Sequence, residues 1–143
     1  MVNEKARKAA ADLLRHLTDG TISVDKYESQ FPRDERDPAL RAICVQMWLF
    51  YSDTTEFLSG EDALGKEDQE FVARSILFLN TGFEFAWPQP QLGLKYAVAR
   101  LLGFGWLLKR QDQKAMSVGD VSVWPFLRRS DYEEALAGGV YIK

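Results

Sequence analysis

The chain has 143 residues, a net charge of −3, a 46% hydrophobic fraction and a single cysteine, Cys44. That length suits one domain with a core of its own, needing neither metal nor disulfide staples. A lone cysteine excludes an intrachain disulfide and predicts a reducing, cytoplasmic setting.

The opening MVNEKARKAAADLL carries charges with no apolar run behind them, so no secretory signal is expected. Asn3 is placed to cap a first helix, on which Ala6, Ala10, Leu13, Leu14 and Leu17 recur at helical spacing before Gly20 ends it. Ser23 is a second cap, with Val24, Tyr27 and Phe31 on one side of a short helix that Pro32 ends. RDERD, residues 33–37, reads as an exposed polar connector. Asp37 and Pro38 then open the clearest element, a central helix over 38–59. Leu40, Ile43, Cys44, Met47, Trp48, Tyr51 and Leu58 form its apolar stripe; Leu49, Phe50 and Phe57 widen it, predicting burial on most sides. A further helix is expected over 66–79.

The two prolines of FEFAWPQPQLG favour an extended loop. A helix over 92–102 follows from dense apolar spacing. The wider run 92–108 holds Lys95 and Arg100, which makes it too short and too charged for a membrane span. A long connector comes next, with a short strand predicted over 121–124 and Trp124 and Phe126 packing inward. Ser130 and Glu133 have the spacing of a capping box for a last helix. The fold class is therefore mainly α: a single-domain helical bundle of about five to six helices with a long C-terminal connector and one short strand.

Chemistry is sparse. The only histidine, His16, leans toward the surface, and Cys44 lies on the apolar stripe, so no nucleophilic triad is indicated. One histidine and one cysteine cannot build the usual zinc sites. GFG at 103–105 is not a phosphate loop. No cofactor or resident metal is expected, and overall acidity argues against nucleic acid despite Trp106 and Trp124 among basic residues. The charge is unevenly spread. Residues 53–70 hold seven acids (Asp53, Glu56, Glu61, Asp62, Glu67, Asp68, Glu70) against Lys66, whereas residues 95–129 hold seven bases, ending in Arg128 and Arg129, against Asp112 and Asp120. One face could steer a partner of opposite charge.

Four stretches, DGTISVDKYESQFP, DPALRAICVQMWLFYSD, ARSILFLNTGFEFAWP and GDVSVWPFLRRSDYEEAL, together resemble a group of small bacterial helical proteins of uncharacterised function. The resemblance implies a one-domain helical fold in a bacterial cytoplasm and supplies no catalytic residue. In size and acidity such proteins are similar to immunity proteins that neutralise toxins.

The leading expectation is thus a non-catalytic protein-binding module, immunity-like, that presents Asp53, Glu56, Glu61, Asp62, Glu67 and Asp68 to a basic protein partner, with Arg128 and Arg129 as a candidate anion site. Two alternatives stand beside it. One is a metal-dependent hydrolase with Asp53 and Glu56 on one helical face, joined by Glu70 or Glu84. The other is an oligomeric structural protein using Trp87 or Trp106 as an apolar contact.

Overall fold

The computed structural model describes residues 1–88 and 118–138. Within them lie helices α1 (Glu4–Thr18), α2 (Val24–Gln30), α3 (Pro38–Met47), α4 (Lys66–Leu79) and α5 (Arg129–Leu136). Three single 3-10 turns accompany these, at Trp48–Phe50, Gly60–Asp62 and Val121–Val123. The described residues are thus mainly α, as the periodicity predicts. The predicted helix over 92–102 lies outside them.

Local chemistry sets most boundaries as expected. Asn3 accepts from the Ala6 amide, Ser23 from Lys26 and Asp37 from Ala39, each satisfying a donor that the first helical turn would otherwise leave orphaned. Gly20 adopts φ +77°, and a Cβ there would also stand 3.2 Å from the Cβ of Ser59, so both backbone and space call for glycine. α1 packs on α2 and α4, and α4 on α5. Ala10, Leu14, Tyr27, Ile43, Val72, Phe78 and Ala135 bring all five helices into one buried apolar cluster.

Four sequence expectations are corrected. The central helix stops at Met47, twelve residues short of the predicted end at position 59, and gives way to a 3-10 turn and irregular chain. The cause lies in Ser52, Thr54 and Thr55. The Ser52 amide donates to Thr55 Oγ1, the Thr55 amide donates to the Ser52 carbonyl, and the Ser52 hydroxyl bonds the hydroxyls of Thr54 and Thr55, an alternative to the helical ladder. The Glu56 carbonyl is then free to accept from Val24 at 2.8 Å, which satisfies a first-turn donor of α2.

The predicted strand at 121–124 is instead the 3-10 turn Val121–Val123, capped by Asp120. The capping box at Ser130 does not form. Arg128 is the N-cap, and Ser130 already lies inside the helix, where its hydroxyl points to Asp131. Capping requires extended backbone at the serine. Arg129 ties this end down through Asp120, 3.3 Å, and Ser122 Oγ, 2.8 Å.

The RDERD connector is not all exposed: Asp37 is fully buried and paired with the equally buried Arg7. Arg7 Nε and Nη2 reach the two carboxylate oxygens at 2.7 and 3.0 Å, Nη1 donates to the carbonyls of Thr81 and Phe83, and the guanidinium lies over the Phe78 ring at 5.1 Å. The backbone amides of Asn3 and Ala39 donate to the same carboxylate. One ion pair therefore joins α1, the start of α3 and the chain leaving α4. Asp34, half-buried in the same connector, is held well below the usual carboxylate range by hydrogen bonds from Arg36 and Asn3.

Candidate functional site

Ending α3 at Met47 changes what the next residues face. Trp48 is 55% exposed, Leu49 78% and Phe57 38%, although Trp48 is expected on the apolar stripe and Leu49 and Phe57 are expected to widen it. In a 3-10 turn, side chains repeat every three residues rather than every 3.6, so only Phe50 swings inward. Its ring meets Phe71 of α4 at 5.4 Å, and Phe71 in turn stacks on Trp124 at 5.1 Å and 6°. Arg74 closes this column, with its guanidinium 5.9 Å from the Phe71 ring and a hydrogen bond to the Trp124 carbonyl. The Trp48–Phe50 turn is thereby fixed beside the first half of α4.

That half of α4 carries Glu67, Asp68 and Glu70. Residues 53–62 supply Asp53, Glu56, Glu61 and Asp62. All seven acids are exposed except Asp68, which is half-buried, and none takes part in an ion pair or a side-chain hydrogen bond among the described residues. Glu67 and Asp68 also sit in the first turn of α4, where negative charge suits the helix dipole. Lys66 and Arg41 are the exposed cations nearest in sequence.

Other candidate groups stand as follows. Asp53 and Glu56 share no helical face, because the helix that would have aligned them is absent. Glu84 lies 3.4 Å from the N-terminal ammonium, and among the described residues no three of His, Cys, Asp or Glu converge as a metal would require. Arg129 is engaged by Asp120, while Arg128 is exposed at the helix cap. Trp87 is buried, with its indole N–H bonded to the Phe126 carbonyl at 3.1 Å, so it offers no external contact. Trp106 lies outside the described residues. His16 is exposed and bonds Thr21 Oγ1. Cys44 is half-buried rather than buried, and desolvation pushes its thiol pKa up, leaving a protonated, weakly nucleophilic group at neutral pH.

Behind the exposed turn, Tyr51 donates to Glu28 at 2.8 Å; burial, and then that bond, hold its phenol well above the ordinary range. Tyr51 meets Tyr27 edge-on at 6.5 Å. Tyr27 is fully buried, and its hydroxyl has no hydrogen-bond partner among the described residues. An unmet buried hydroxyl costs about 1–3 kcal/mol. Tyr27→Phe removes that cost and loses only the contacts of one oxygen, so a gain of about 1 kcal/mol is expected in urea unfolding. A loss of comparable size would reveal that the hydroxyl is bonded after all.

No protein-family model, curated protein or solved structure matches this chain.

Proposed function

We propose that the protein is a non-catalytic binding module that presents the acidic segment around Asp53, Glu56, Glu61, Asp62, Glu67 and Asp68 to a basic protein partner, in the manner of a bacterial immunity protein. The observation that carries this reading is that these carboxylates, exposed except for the half-buried Asp68, have no ion-pair partner among the described residues. A set of unneutralised charges raises the local potential, draws an oppositely charged protein into productive encounters and rejects acidic ones.

The test is capture of the partner from the source cell, followed by association kinetics with variants. Reversing Glu61, Asp62, Glu67 and Asp68 to lysine is expected to slow association about tenfold or more and to flatten its dependence on salt, with a smaller effect on dissociation. The Glu67 and Asp68 reversals also oppose the α4 dipole, at about 0.3–1 kcal/mol each. The pair Glu61→Lys and Asp62→Lys, outside α4, separates binding from stability. Unaltered association rates in both variants would rule the acidic face out as the contact.

A further inference from the structure

We infer that the Trp48–Leu49 turn is the apolar anchor of this face, and that its occupant is a cationic amphipathic segment of another protein, with apolar side chains beside its lysines and arginines. The inference rests on the acidic-face reading above and specifies the chemistry of the partner.

Two adjacent large apolar side chains, 55% and 78% exposed, project from a turn whose next residue is locked onto α4. Fully burying such a side chain stabilises by about 1.5–3 kcal/mol. That contribution is forgone in the free protein and is gained when a partner covers the turn. Tryptophan is among the residues that most often dominate interface energies when desolvated by a partner.

What covers the turn is narrowed by the charges that follow it in sequence and by those on the helix half that Phe50 touches. Glu67, Asp68 and Glu70 lie on the half of α4 that Phe50 contacts, and Asp53 and Glu56 follow the turn in sequence. A purely apolar partner would desolvate these carboxylates without compensation, which is costly. A purely cationic one would leave Trp48 and Leu49 in water. A segment with both characters, such as a basic amphipathic helix, satisfies the two requirements together. Steering then resides in the acids and residence time in the anchor.

The full-length protein can be titrated with two synthetic peptides of equal positive charge, followed by fluorescence anisotropy of the labelled peptide. One peptide places leucines and lysines on opposite helical faces; the other replaces every leucine with serine. The leucine–lysine peptide is expected to bind about tenfold more tightly than the serine–lysine peptide, a preference that Trp48→Ala/Leu49→Ala abolishes. Affinity for the serine–lysine peptide should persist in that double variant and fall in the acid-to-lysine variant. Because both side chains are exposed, the urea midpoint of the double alanine variant should stay close to that of the wild type.

Equal affinity of the wild type for the two peptides, or a preference that survives the double substitution, overturns the anchor. The acidic reading then still stands if charge reversal weakens binding. Binding insensitive to charge reversal, or no binding of either peptide, removes the acidic reading and the anchor with it. A wild-type dimer in sedimentation that Trp48→Ala/Leu49→Ala makes monomeric would instead assign the turn to contact between two copies.

Discussion

Asp37→Ala is expected to destabilise the protein by about 3–5 kcal/mol, because it strands the Arg7 guanidinium in a site with no water access. Both side chains are fully buried, and the carboxylate is saturated by two bonds from Arg7 and one each from the amides of Asn3 and Ala39. Removing it also deletes the α3 cap. Arg7→Lys should be poorly tolerated as well. An ammonium cannot reproduce the planar fork that engages Asp37 on one side and the carbonyls of Thr81 and Phe83 on the other.

The informative comparison is the double variant Arg7→Met/Asp37→Leu. Replacing both charges by apolar groups avoids the uncompensated ion, so it should lose less than the sum of its single changes, giving a coupling energy of about 1–3 kcal/mol in a double-mutant cycle. Asp37→Asn keeps an acceptor for only one of the Asn3 and Ala39 amides, which bond different carboxylate oxygens, and should fall between wild type and Asp37→Ala. This graded series keeps the test readable by urea unfolding even if the alanine variant is largely unfolded. A loss below about 1 kcal/mol for Asp37→Ala would mean that solvent reaches the pair and that its burial is not maintained in solution.

The ion pair also marks the limit of what could be read from residues alone. Capping and spacing located α1, α2 and α4 and the start of α3, because those signals are local: Asn3, Ser23 and Asp37 each bond amides two or three residues ahead. Arg7 was missed, although it stands at the head of a stripe with Ala10, Ala11 and Leu14, three, four and seven positions on. A charge at such a position signals a buried partner, but the partner lay thirty residues away, and spacing carries no information over that distance.

The end of α3 was missed for the opposite reason. Its apolar spacing continues past Met47, but the hydroxyls of Ser52, Thr54 and Thr55 offer the backbone local bonds that compete with the helix, and Val24 takes the Glu56 carbonyl from outside. At the other end, Ser130 and Glu133 have the spacing of a capping box, yet tertiary contacts begin the helix at Arg129 and leave the serine inside it. For the candidate site, the acids were legible from composition, while the exposed anchor was not. It exists only because the helix stops early, turning residues that periodicity assigns to the interior toward solvent.

Phe126→Ala should destabilise by about 3–5 kcal/mol, the second large effect expected of a single substitution. Phe126 is 1% exposed and meets the rings of Phe78, Phe83 and Tyr132 at 5.1, 6.2 and 5.4 Å. Its carbonyl receives the buried Trp87 indole, and its amide returns to Val123. Around it the chain closes on itself: the Asp120 amide bonds the Leu127 carbonyl, and Gly119 approaches that same carbonyl so closely that a Cβ would lie 2.5 Å from it. Phe126 therefore plugs the C-terminal segment into the α4 face, and the alanine variant opens a cavity that this tied loop cannot collapse to fill.

Phe126→Leu, which keeps most of the volume but loses edge-to-face ring contacts, should cost only about 1 kcal/mol. Within each protein, wild type or variant, tryptophan fluorescence and far-ultraviolet circular dichroism should give coincident urea transitions, the midpoint shifting between proteins, since the plug joins the C-terminal segment to one cooperative unit. If fluorescence changes first in Phe126→Ala while the helical signal holds, the segment unfolds on its own and contributes little to the stability of α1–α4. Such a result would also divide the molecule at the Phe71–Trp124 stack. That stack supports the turn bearing Trp48 and Leu49, so the same variant would be expected to loosen the proposed anchor without altering any residue in it.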